Sequence, residues 1–192
     1  MSRVRMLGFG ALLLAIPAAA QQPAGTAQIA VANPISESFK GFGFYGSWLV
    51  SAFDSIPASK YDFKPTPIQQ SVGYIAQHLE DANYQLCSII GGVSRATTSK
   101  DSFADTVKAQ WPKDTLVARL RKSLEFCRDA FANVTDAKLA EEVSGPAGSG
   151  RRAFRARYVM LFITDLVDHY SQIANYMRIM GMIPPSALPQ RR

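Results

Sequence analysis

The stretch RAFRARYVMLFITDLVDHYSQIANYMRIM, from Arg152 to Met180, decides the fold. Tyr158, Leu161, Phe162, Leu166, His169, Ile173, Tyr176 and Met177 recur at three- and four-residue spacing, so a helix over this stretch gathers them on one face. Gly181 follows as a candidate left-handed cap, and Pro184-Pro185 prevents continuation. Arg151, Arg152, Arg155 and Arg157 crowd the helix start, where positive charge opposes the helix dipole. The ordinary reading is a solvated basic face paired with Glu141 and Glu142, with an anion or partner as the alternative.

Working outward, Ser144 to Gly150 reads as an exposed flexible loop, with three glycines and a proline. Before it, Leu116, Leu120, Leu124, Cys127 and Phe131 mark a third helix over about 113–134. A second helix is expected from Pro67 to Ile90, with Thr66 as cap, Pro67 in the first turn and Gln69 closing a capping box. A first helix is expected over 36–55, weakened at its start by Gly41, Gly43 and Gly46. Val93 to Trp111 is longer than the two to eight residues that usually join antiparallel neighbours, and it includes a short helix expected from Ser102. It therefore crosses the bundle and leaves helices two and three parallel. No stretch alternates convincingly enough for a strand. The class is all-α, a four-helix bundle over 36–185 with a long crossover between helices two and three.

At the N-terminal side, Arg3 and Arg5 precede an apolar run from Met6 to Ile16, and Ala18-Ala19-Ala20 precede Gln21. The pattern is that of a secretory signal peptide over 1–20, and Pro17 keeps the run short of a membrane-spanning helix. Cleavage leaves about 170 residues, enough for one domain, with a linker over 21–35 and a tail over 186–192. The expected location is periplasmic or secreted, with no membrane anchor after cleavage. The apolar fraction of 47% with 19% charged residues is that of a globular chain. Loss of Arg3 and Arg5 lowers the formal charge from +6 to +4, and no basic stripe interleaved with aromatics suggests a nucleic-acid partner.

Cys87 and Cys127 are the two cysteines. Export makes a disulfide a legitimate reading, against two buried thiols packed as small hydrophobes. Topology favours the bridge. Both cysteines lie near the ends of their helices, and parallel neighbours place those ends together.

The two histidines each fall on an apolar helix side. His78 follows Ile75 by three residues, His169 follows Leu166 by three, and Asp165 lies one turn before His169. A carboxylate and an imidazole at i and i+4 can converge on one ion, and His78 would complete a two-histidine, one-carboxylate site. The bland alternative is a core histidine and a buried ion pair. Gln172, Tyr84 and Arg178 are polar residues that helical phase could bring beside the site, though each also reads as structural or solvent-facing.

Lys60-Tyr-Asp-Phe-Lys-Pro-Thr-Pro with Ile75-Ala-Gln-His78-Leu-Glu-Asp-Ala-Asn-Tyr84 resembles the first half of DinB-like (YfiT-like) proteins. Asp168-His169-Tyr170-Ser171-Gln172, Tyr176-Met-Arg178, Gly181 and Ile183-Pro184-Pro185 resemble the second half. The resemblance implies a four-helix bundle with a crossover and a divalent metal, usually held by one histidine on helix two and two at i and i+4 on helix four. His78 and His169 match two of these positions, and Asp165 stands where the family has its remaining histidine. Aspartate can ligate Zn²⁺, Ni²⁺, Mn²⁺ or Fe²⁺. The resemblance also implies hydrolase or thiol-transferase chemistry on an unidentified small molecule, and a homodimer. The alternative is a metal-free binding or scaffold bundle that has lost the site.

Overall fold

A computed structural model describes residues 32–189, which belong to one compact unit. The expected signal peptide, most of the expected linker and the last three residues of the tail lie outside them. Helix α1 (Pro34–Gly41) and helix α2 (Phe44–Ser55) replace the single first helix of the sequence reading. The break falls at Phe42-Gly43, where the N–H groups of both residues bond back to Phe39 and Lys40 in tight turns. Two glycines of low helix propensity permit this. Phe42 is consequently left exposed.

Helix α3 (Val72–Gly91) starts five residues later than expected. Thr66 bonds the side chain of Gln69, not a backbone N–H, and Ser71 caps the helix by accepting from Tyr74 N–H. The first N–H groups of α3 donate to the carbonyls of Phe63 and Tyr61, so the extended connection itself satisfies them. Gly92 closes the helix in the left-handed conformation (φ 65°).

The crossover holds a 3₁₀ turn at Ser99–Ser102 and the short helix α4 (Asp105–Lys108). Asp101 accepts from Thr98 N–H and from Arg119 (2.6 Å), and Arg119 also donates to Glu80 (2.7 Å). The guanidinium of Arg119 lies over Trp111 at 4.9 Å, a cation–π contact. Lys108, buried, pairs with Asp81 and Asp105. These contacts pin the crossover onto the bundle.

Helix α5 (Lys113–Phe131) ends three residues early and is followed by α6 (Asp136–Leu139). Strands β1 (Glu142–Ser144) and β2 (Arg152–Phe154) pair antiparallel and correct the expectation of no strand. Helix α7 (Arg155–Ile179) therefore starts at Arg155, not Arg152. Arg155 is buried, another departure from the solvated basic face. It donates to Ile89, Ile90 and Lys138 carbonyls and pairs with Glu141 at 2.7 Å, so it ties the end of α3 to the hairpin.

The direction of each helix follows from its contacts. Between α3 and α5, Glu80 meets Arg119, Asn83 meets Ser123 and Cys87 is disulfide-bonded to Cys127, each pair 39 or 40 residues apart. A constant offset means parallel helices. Gly91 continues this row, because a Cβ there would lie 2.8 Å from Ala130 Cβ. Between α3 and α7, Gln70 meets Tyr176, His78 meets Asp165 and Ile90 meets Arg155, so numbers fall on one helix as they rise on the other. These helices are antiparallel. Helix α2 closes the ring against α5 and α7. Leu49, Phe53, Ile75, Leu79, Leu120, Leu166 and Ile173 fill the centre at 0–1% exposure, each contributing about 1.5–3 kcal/mol by burial.

Candidate metal centre

Helix α3 brings His78 to its outer junction with α7, and α7 brings Asp165 and His169 from successive turns. Asp165 Oδ1 lies 3.5 Å from His169 Nε2 and 3.7 Å from His78 Nε2. Ligand atoms of the three residues all lie within 4.8 Å of one another. His169 is buried, while His78 and Asp165 are partly open to solvent.

The separations discriminate between two kinds of contact. An N–H···O hydrogen bond prefers about 2.7–3.2 Å, and both nitrogen–oxygen distances exceed that. Two donors each about 2.1 Å from a tetrahedral ion lie roughly 3.4 Å apart, close to what is seen. Asp165 Oδ2 is also buried with no hydrogen-bond partner. A carboxylate oxygen left so is costly unless a cation compensates it. The residues present therefore fit a divalent ion.

Electrostatics couple the three residues to one another. Burial would raise the Asp165 carboxyl, but His169 and then His78 outweigh it and hold it at about 2. Burial would lower His169, but Asp165 and then Gln172 outweigh it and raise it. The Asp165 carboxyl thus stays ionised, with the imidazoles beside it as its counter-charge.

Gln172 accepts at 3.0 Å opposite His169 Nδ1, which leaves His169 Nε2 as the nitrogen toward Asp165. Of the other two residues considered beside the site, Tyr84 packs on Phe126 and under Arg95 at 4.2 Å, and Arg178 bonds Asn175 on the exposed side of α7. Neither joins the triad. Sequence reasoning missed Tyr176, whose hydroxyl bonds both Gln172 (3.1 Å) and the Gln70 carbonyl (3.0 Å). The spacing His169, Gln172, Tyr176 carried a signal for it, three and then four residues along one helix face. Nothing in the sequence marked the Gln70 carbonyl, which arrives through the fold of the preceding loop.

Two hollows open on the bundle. One of about 460 Å³ opens at the start of α3, lined by Gln70, Ser71, Tyr74 and Gln110, one turn before His78. A larger groove of about 940 Å³ lies along α2 and α5, with Gly46, Val50, Leu124, Phe131, Phe162 and Leu166 among its lining residues. Among the described residues no helix is long and apolar enough to cross a membrane.

The fold has counterparts among solved structures. A crystal structure of a DinB-like protein from Bacillus cereus ATCC 10987 superposes with a TM-score of 0.61 at 18% identity, covering 78% of this chain and 95% of that one. A crystal structure of a conserved protein from Enterococcus faecalis gives 0.57 at 14% identity, covering 77% and 98%. At these identities the likeness is one of fold. Comparison with curated proteins gives no match. The sequence profile of the DinB superfamily matches residues 48–173, which include all three residues of the triad. The chain belongs to the DinB superfamily.

Proposed function

We propose that this protein is an exported metalloprotein that binds one divalent ion through His78, Asp165 and His169 and acts on a small molecule by hydrolase-like or thiol-transferase-like chemistry. One observation carries the reading: Asp165 Oδ1 lies 3.5 and 3.7 Å from two imidazole nitrogens, too far for good hydrogen bonds, while its buried Oδ2 has no partner. A bound ion of this kind supplies Lewis-acid polarisation of a carbonyl, thiol or water. Asp165 contributes the negative charge, and the buried His169 is oriented by Gln172. His78, more open than the other two, borders the face from which a substrate would approach, near the hollow at Tyr74. Export is supported by the Arg3, Arg5 and Ala18-Ala19-Ala20 pattern and by the Cys87–Cys127 disulfide, which suits an oxidising compartment.

A second reading is a binding or scaffold bundle that works without metal. The 940 Å³ groove favours it, with Val50, Leu124, Phe131 and Phe162 among its lining residues and none of the triad. Thermal unfolding separates the two. Zn²⁺, Ni²⁺ or Mn²⁺ at concentrations well above its dissociation constant stabilises a specific binder, by about 2.7 kcal/mol at a hundredfold excess. The metal reading expects a clear rise in melting temperature that His78→Ala abolishes. No rise with any of these ions would leave the scaffold reading.

A further inference from the structure

The three hydrogen bonds beyond the triad have only one direction in which every group is satisfied. The Gln70 carbonyl can only accept, and Tyr176 O–H donates to it at 3.0 Å. With its one proton committed, the Tyr176 oxygen must accept from Gln172, whose Nε2 lies 3.1 Å away. That turns Gln172 Oε1, an acceptor, toward His169 Nδ1 at 3.0 Å. A neutral imidazole carries one proton, and here it belongs on Nδ1. Nε2 then presents a lone pair; the Asp165 carboxylate favours a proton there, but at 3.5 Å it holds one less well than Gln172 Oε1 holds the Nδ1 proton at 3.0 Å.

Resting on the metal-site reading above, we infer that Tyr176, anchored on the Gln70 carbonyl, is a positioning residue that fixes His169 in its Nδ1–H tautomer and keeps Nε2 free to ligate.

The opposite polarity shows what Tyr176 prevents. If Tyr176 donated to Gln172 Oε1, the amide NH₂ would face His169 Nδ1 and the ring proton would move to Nε2, where it blocks a metal. The Gln70 carbonyl would then lose its donor. A backbone carbonyl cannot reverse its role, so the anchor selects the metal-ready state. Tyr176 is 2% exposed and His169 8%, so water competes little at those two groups, although Gln70 is exposed and Gln172 half-buried.

The test reads the tautomer directly. Long-range ¹H–¹⁵N spectra of the metal-free mature chain, at a pH where the rings are neutral, distinguish a protonated ring nitrogen from one with a lone pair. The two histidines give two sets of signals. Wild type is expected to show His169 protonated at Nδ1. Tyr176→Phe and Gln172→Leu are expected to shift it toward a mixture, with Zn²⁺ affinity against a competing chelator falling about 10–100-fold. Gln172→Glu, whose carboxylate only accepts, is expected to retain Nδ1–H. If Tyr176→Phe does not fold, as circular dichroism would show, the Gln172→Leu and Gln172→Glu pair carries the test. Wild-type His169 protonated at Nε2, or a tautomer unchanged in folded Tyr176→Phe or in Gln172→Leu, overturns the inference. Absence of Zn²⁺ binding by wild type would instead sink the metal-site reading, while the tautomer would still judge the relay.

Discussion

Helix α3 faces two neighbours in opposite ways. Against α5 it closes its polar groups: Glu80 on Arg119, Asn83 on Ser123, and Cys87 covalently on Cys127. Against α7 it brings His78 to Asp165 and His169 at separations too long for good hydrogen bonds, with Asp165 Oδ2 unpaired. The α5 side has its own loose end in Asn83 Oδ1, but that is a neutral amide oxygen, cheaper to leave unpaired than a carboxylate. The contrast teaches where to look for function. One interface uses its polar residues to hold the bundle, and the other leaves a charged oxygen unpaired.

The strongest way to break this contrast is to remove the covalent link. Closing a loop of 40 residues restricts the unfolded chain, which corresponds to about 4 kcal/mol of stability in the chain-entropy account. Cys87→Ala with Cys127→Ala should lower the unfolding free energy by about that amount in denaturant titrations, with Zn²⁺ binding unchanged. Loss of binding in the folded double variant would show that the two interfaces are coupled.

A smaller effect sharpens the structural side. Burial works against ionisation of Asp101, but Thr98 N–H and Arg119 outweigh it and hold the carboxyl at about 2. A folded pKa below the ordinary 3.8 stabilises the fold above that pH, and the gain is lost as pH falls toward 2. Asp101→Asn should therefore cost about 1 kcal/mol at neutral pH after allowance for solvent screening. The gap from wild type should close in acid. A gap independent of pH would mean that Asp101 acts by shape alone.

Much of this was legible in the chain. The periodicity of Tyr158 to Met177 placed α7, and the length of 93–111 placed the crossover, because both depend on local spacing. The parallel pairing that follows brought Cys87 to Cys127. Helical phase also put His78, Asp165 and His169 on facing sides, where the structure gathers them. What escaped depends on tertiary partners. The start of α3 moved to Val72 because Tyr61 and Phe63 supply carbonyls to its N–H groups, overriding the cap signal at Thr66. Strands of three residues, Glu142–Ser144 and Arg152–Phe154, are too short to show alternation. Tyr84 was considered for the metal side, but the crossover's Arg95 draws it toward α5.

The central claim is that the α3–α7 junction holds a metal ion, and elemental analysis tests it most directly. The mature protein would be purified without a histidine tag or chelator, beside Asp165→Ala and His169→Ala. Near-stoichiometric divalent metal in wild type, lost from both folded variants, is the predicted result. Equal metal content in all three proteins, or none in wild type even after reconstitution with Zn²⁺, Ni²⁺, Mn²⁺ and Fe²⁺, would contradict it.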